Sequence, residues 1–293
     1  MYSIFDKTIQ IKQFGCSRSD IKGSKIPPSV NIFVKVTNGC NCHCQFCSNS
    51  KANSYITAFN LPKLVNIVQE IQNQGINVNR INITGGEPSI VANLVEEILE
   101  VFNKENLKHI HLHLNTNGLL PQSQILMKNQ RWNSISVSLH HYDYKILSNI
   151  YGKEVSMEAL NFEDIDKNKI NVSCNLIKGY IDSTTEIHKM LDFTITLNIP
   201  RIGFVSLMKI NDFCEKHYVD FDDIDFEAIP NVYFTNSLNR GKDCKCSNYL
   251  YNKDAQILEI YNRNYVNQEY CESSLLFDGQ YLRQGFHNDN IIY

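Results

Sequence analysis

Short runs rich in β-branched and aromatic residues alternate with longer runs in which apolar residues recur every three or four positions. This alternation predicts a mostly parallel α/β sheet. Asn31 to Thr37 reads as the first strand. The first helix has its apolar face at Leu61, Leu64, Val65, Val68 and Ile71. Asn60 suits its N-cap, Pro62 its first turn and Gly75 its stop. Strands are then expected at Asn79–Thr84, His109–Asn115, Ser134–Leu139, Asn171–Ile177 and Arg201–Leu207. Helices are expected at Ile90–Asn103, Gln122–Asn129, Met157–Asp166 and Ser183–Leu191. In such sheets and barrels, reactive residues gather on the loops after the strand C-terminal ends.

Residues 1–30 form an irregular N-terminal extension with a hairpin-like start, ending at Pro27-Pro28. Residues 31–210 hold the β/α units. Beyond about residue 211 the pattern changes, and residues 211–293 read as a small C-terminal α+β module. There, Asp220, Asp222, Asp223, Asp225 and Glu227 alternate with Phe221, Ile224 and Phe226, which suits a solvated edge. Leu275 to Leu282 reads as a hairpin around Asp278-Gly279.

The chain has 293 residues, 43% hydrophobic and 20% charged, with net charge −3. That profile fits a globular protein without broad attraction to nucleic acid or anionic membrane. No apolar run approaches transmembrane length, and no signal peptide precedes the first strand. A cytosolic protein is therefore expected. Its ten cysteines then point to metal or redox chemistry before disulfides.

Cys40, Cys44 and Cys47 follow the first strand directly, spaced C-x3-C-x2-C, with Phe46 just before the last. Zinc structural sites prefer two separated C-x2-C-like pairs. Three thiolates on one compact loop favour an iron–sulfur cluster with one iron left open. Thr84-Gly85-Gly86-Glu87-Pro88 ends the second strand, at the same end of the sheet. Gly85 and Gly86 let a ligand approach the backbone closely. Glu87 offers an acceptor for an amine, and Pro88 stiffens the exit.

With these two motifs the chain resembles the radical SAM superfamily. Cys40, Cys44, Phe46 and Cys47 match its C-x3-C-x-aromatic-C loop, and Gly85 to Pro88 match its Gly-Gly-Glu-Pro motif. The resemblance extends through Thr116-Asn117-Gly118 and the Ser-rich fourth strand, over about residues 30–207. It implies a partial (β/α)6 TIM-like barrel. It implies that the three cysteines ligate a [4Fe–4S] cluster, with S-adenosylmethionine on the fourth iron. Reductive cleavage would then give a 5′-deoxyadenosyl radical that takes hydrogen from a substrate.

Other residues are weighed against plainer roles. Phe46 is expected against the cofactor's adenine, with loop packing as the alternative. Ser138 would bond the ribose or serve as a buried hydroxyl. Asn175 and Lys178 would hold the cofactor, although Lys178 also suits a solvated loop. His140, beside His141, is a candidate for substrate contact or proton movement. Lys35 is unusual for a central strand. Cys42 lies outside the ligand spacing, and Cys16 reads as an ordinary thiol. Cys174 is a candidate hydrogen-atom donor. Cys214, Cys244, Cys246 and Cys271 could hold a second cluster or zinc, although no cysteine follows the hairpin as in auxiliary-cluster modules.

The first expectation is a maturase of ribosomally made peptides, served by a ferredoxin- or flavodoxin-like electron donor. Small-molecule biosynthesis is the nearest rival and RNA modification a weaker one. A metal-stabilised binding module would explain the cysteines but not Gly85 to Pro88.

Overall fold

A computed structural model describes residues 2–5, 7–9, 29–49, 58–237, 246–264, 274–284 and 291–293. The chain opens with an antiparallel hairpin, β1 (Tyr2–Ile4) and β2 (Lys7–Ile9). Six β/α repeats follow. They are β3 (Ser29–Thr37) with α1 (Leu61–Asn73), β4 (Asn77–Gly85) with α2 (Ala92–Val101), and β5 (His111–Thr116) with α3 (Pro121–Met127). Then come β6 (Ser134–Ser138) with α4 (Tyr144–Tyr151), β7 (Ile170–Leu176) with α5 (Thr184–Thr196), and β8 (Arg201–Ser206) with α6 (Asp212–Lys216). The remaining strands are β9 (Val232–Ser237), β10 (Ser247–Lys253), β11 (Gln256–Arg263), β12 (Ser274–Phe277) and β13 (Leu282–Gln284).

β3 to β8 pair in chain order, each parallel to the next. The later strands join the same 11-stranded sheet at both of its edges. β12 lies parallel on β3, and β11 lies parallel on β8. β13, β10 and β9 continue outward antiparallel. The described strands of residues 211–293 therefore flank the six central strands on both sides.

The two faces of the sheet differ sharply. Ile32 and Val34 on β3, Ile81 and Ile83 on β4, and Val172 and Leu176 on β7 are fully buried under the helices. Their alternating neighbours are mostly polar: Lys35, Arg80, His111, His113, Ser136, Asn171 and Arg201. Arg201 on β8 lies within electrostatic reach of His111 and His113 on β5. Three strand spacings of about 4.8 Å would hold those backbones about 14 Å apart in a flat sheet. With the helices covering the apolar face, the polar face forms the concave interior of the partial barrel.

Local signals explain most elements. Asn60 Oδ1 accepts the Lys63 amide at 2.9 Å, and α1 buries Leu64, Ile67, Val68 and Ile71. Gly75 follows at φ +74°, the left-handed stop its position predicts. The β12–β13 hairpin turns at Asp278, whose Oδ1 accepts the amides of Gln280 (3.1 Å) and Tyr281 (2.7 Å).

One predicted helix is misplaced. Residues 157–166 hold only a single 3-10 turn, Met157–Ala159. The helix of that unit is α4, capped by Asp143 and ended by Gly152 at φ 60°. Its eight residues carry barely two turns, too short for a clear 3.6 period. Leu160, Phe162 and Ile165 still reach the core, from extended and turn backbone. In the acidic stretch, Phe221, Ile224 and Phe226 are buried while most of the carboxylates between them face outward. Among the described residues, no helix is long and apolar enough to cross a membrane.

Candidate active site

The cysteine loop is moulded onto the end of β4. The Gly86 amide donates to Thr37 O and the Glu87 amide to Gly39 O, both at 2.8 Å. A Cβ on Gly85 would fall 2.3 Å from Thr37 O, and one on Gly86 would fall 2.0 Å from Gly39 O. Both glycines are thus required by loop-against-loop packing. The packing requirement stands beside the expectation that their openness serves a ligand.

Glu87 is 1% exposed. Its Oε1 accepts from the Ser89 amide (3.1 Å), Ser89 Oγ (2.7 Å) and Thr116 Oγ1 (2.7 Å). Its Oε2 accepts from the Asn117 amide at 2.7 Å. In place of the free acceptor expected for an amine, Glu87 is a buried carboxylate joining the ends of β4 and β5. Pro88 starts the 3-10 turn Pro88–Val91 behind it. Asn117 completes the connection: its Nδ2 donates to Asn41 Oδ1 at 2.7 Å and approaches Cys42 Sγ at 3.5 Å.

Cys40 is exposed, Cys44 and Cys47 half-buried and Cys42 buried. The Cys47 amide donates to Cys44 O at 3.1 Å. The Cys42 amide points at Cys40 Sγ and the Asn49 amide at Cys47 Sγ, each at 3.4 Å. A hydrogen bond from the Cys42 thiol brings Cys40 down to about 7 and pushes Cys42 up. Burial, then the charges of Cys47 and Cys40, push Cys44 up to about 12. Burial also raises Cys47. Three thiols that repel one another as anions, with backbone N–H groups aimed at two of them, fit an iron–sulfur cluster that takes one thiolate per iron. Cys40, Cys44 and Cys47 would hold it.

Phe46 stands edge-on to His140, with ring centroids 4.9 Å apart. His140 Nδ1 accepts the Asn175 amide at 3.1 Å, and its ring meets Tyr151 at 5.7 Å. Burial holds His140 down to about 3, so its ring stays neutral and its proton sits on Nε2. That corrects the proton-moving role: His140 braces Phe46 against the ends of β6 and β7. His141 is buried beside it, with Nδ1 accepting the Asp143 amide at 2.9 Å. Ser138 and Asn175 both fall on the concave face, half-buried. Lys178 is exposed, its backbone clamped to His217 by bonds of 2.9 and 2.8 Å.

Cys174 alternates with Ser173 and Asn175 and falls on the helix-covered face with Val172 and Leu176, fully buried. Burial raises its thiol. It faces away from the concave interior, which corrects its expected role as hydrogen-atom donor. Cys214, on α6, donates to Phe46 O at 3.6 Å, and Asn211 Nδ2 donates to Gln45 O at 3.1 Å. Cys214 thus packs on the first cysteine loop. Cys246 is buried and accepts the Asn264 amide at 3.3 Å. Cys16, Cys244 and Cys271 lie outside the described residues.

The concave face holds residues that the sequence reading passed over. His111 Nε2 and His113 Nδ1 both lie 2.7 Å from Ser134 Oγ. Burial and Arg80 bring His111 down to about 4 and His113 down to about 3, with Arg201 contributing to both. Arg201 donates to Asn168 O, and its Nε is buried with no hydrogen-bond partner. The alternation His111-Leu112-His113-Leu114 was the available signal.

The sequence matches the Radical SAM superfamily over residues 34–194, more than half of the chain, and the chain belongs to that family. The cofactors of the family are a [4Fe–4S] cluster and S-adenosylmethionine. A GTP 3',8-cyclase from Sulfurovum sp. (strain NBC37-1) is 31% identical over 188 residues, covering 60% of this chain and 54% of that protein. A probable GTP 3',8-cyclase from Methanocaldococcus jannaschii is 24% identical over 281 residues, covering 89% and 87%. The chain spans about half the length of most of the curated relatives it matches. Among solved structures, a radical SAM methyltransferase from Sphaerobacter thermophilus shares the fold with a TM-score of 0.54 at 16% identity, over 67% of this chain and 60% of that one. Streptococcus suis SuiB bound to S-adenosylmethionine does so with a TM-score of 0.52 at 18% identity, over 66% and 44%.

Proposed function

We propose that this enzyme directs its 5′-deoxyadenosyl radical at a small, anion-bearing molecule held inside the barrel, in preference to a peptide. The cluster and S-adenosylmethionine, once reduced by a ferredoxin- or flavodoxin-like donor, supply the radical chemistry; the protein binds and orients the substrate. The observation that carries the reading is the similarity to a relative named a probable GTP 3',8-cyclase, 24% identical over 281 residues. Arg201, His111 and Ser134 are the first residues of β8, β5 and β6, so the group they form with Arg80 and His113 lies at the far end of the barrel from the cysteine loop and is not assigned to the reacting substrate. The relatives named GTP 3',8-cyclase support a phosphorylated small molecule over the peptide expected first.

The test is S-adenosylmethionine cleavage by anaerobically reconstituted protein under dithionite. GTP and other phosphorylated metabolites should accelerate 5′-deoxyadenosine formation, and inorganic triphosphate should compete. Stimulation by peptides alone would refute the proposal.

A further inference from the structure

We propose that Lys35 sets its ammonium beside the Cys47 corner of the cysteine loop as the counter-charge of the iron–sulfur group, and thereby makes that group easier to reduce. The inference rests on Cys40, Cys44 and Cys47 holding the cluster.

Lys35 lies in β3, which has a parallel neighbour on each side. Such strands are normally apolar, and lysine is rarely buried without a partner. Val34 and Val36 are buried on the helix side, so Lys35 falls on the concave face. It pairs with Thr84, the residue preceding Gly85 and Gly86. This puts it at the end of the barrel where the cysteine loop sits.

Among the described residues, Lys35 forms no ion pair or hydrogen bond. The charged groups within its electrostatic reach are Asp278, Cys47 and Arg283. Asp278 is already engaged. Its Oδ2 accepts from Arg283 Nε at 2.8 Å, and its Oδ1 takes the Gln280 and Tyr281 amides. Asp278, next to Lys35 on the neighbouring strand, divides its charge between Arg283 and Lys35, and Cys47 is the next anion within reach of Lys35. Burial opposes the Lys35 charge, whereas Asp278 and Cys47 favour it. Asp278 is then the first compensating anion, and Cys47 with the group it holds is the second.

The direction of the effect follows from Coulomb's law. A cation in a partly shielded site stabilises the reduced cluster, which has one more negative charge, more than the oxidised one. Nearby charge and exposure are among the levers that set cluster potentials. Removing the Lys35 charge therefore lowers the potential.

The experiment is an EPR-monitored redox titration of the reconstituted full chain, without substrate. Lys35→Met should have a lower midpoint than wild type, and Lys35→Arg should stay close to wild type, both at wild-type iron content. An unchanged midpoint in Lys35→Met overturns the proposal; a raised substrate KM would then assign Lys35 to substrate. Equal shifts in Met and Arg variants also overturn it, because the effect would be packing. If Lys35→Met does not load iron, the same titration on Lys35→Gln decides. Retention of a normal cluster by Cys47→Ala would instead show that the ligand assignment is at fault.

Discussion

Gly86 and Gly39 meet backbone to backbone: a Cβ on Gly86 would stand 2.0 Å from the Gly39 carbonyl oxygen, which accepts the Glu87 amide at 2.8 Å. The cysteine loop can sit on β4 only because this side chain is missing. Gly86→Ala must push the two segments apart. The expected cost is roughly 1–3 kcal/mol, the usual range for overpacking a close contact. Iron bound per reconstituted chain should fall with it, since the displaced loop carries Cys40. Thermal unfolding and iron assay check both. A variant that melts with wild type and carries full iron would show that the loop yields.

Cys42 sits between two candidate ligands but outside their register. It is buried, bonds to Cys40 and lies 3.5 Å from Asn117 Nδ2. Its place is in the protein side of the loop. Cys42→Ala should therefore keep its iron and form 5′-deoxyadenosine near the wild-type rate. Alanine at Cys40, Cys44 or Cys47 should remove both the cluster absorbance and the product. Loss of the cluster in Cys42→Ala would mean that the ligand register is shifted.

How far the sequence reaches depends on how local each determinant is. Asn60, Pro62 and Gly75 bound α1 through contacts within a few residues, and that helix is correctly read. The strands β3 to β8 announce themselves by two-residue alternation, and their observed ends fall within two residues of the reading. The cysteine spacing is local too. The site beyond it is not. Glu87 meets Thr116 and Asn117 only because β4 pairs with β5. Cys214 reaches Phe46 across 168 positions. The shared reach of Arg80 and Arg201 to His111 and His113 depends on the strand register. The glycines are ambiguous for a related reason. Their sequence says that a Cβ is excluded, but not whether a ligand or another loop excludes it.

His113 predicts a pH effect with a definite sign. Its folded pKa is about 3, brought down first by burial and then by Arg80, against about 6.5 in an unfolded chain. Between those values the unfolded state binds the extra proton. Stability is complete above about pH 6.5 and declines as pH falls towards 3, by up to about 1.4 kcal/mol per pH unit for one such group. Replacing His113 with Gln should flatten the decline between pH 6.5 and 4, measured by urea unfolding of cluster-free protein. Parallel curves for the two proteins would mean that the ring charges without penalty and that the interior is wetter than the structure shows.

Cys174 separates a thiol that is merely buried from one that reacts. A hydrogen-atom donor must face the substrate, and the strand alternation decides this for β7. Ser173 and Asn175 point into the barrel, and Cys174 points into the helix layer at 0% exposure. Turning its sulfur inward would require a one-residue register slip, which would also bury Ser173 and Asn175 among apolar side chains. Cys174→Ala should accordingly leave kcat and KM within about twofold of wild type. It should lower stability by about 1 kcal/mol for the small cavity left behind. Loss of turnover with S-adenosylmethionine cleavage intact would be the signature of a missing hydrogen donor. That result would place the thiol in the reaction despite its position in the fold.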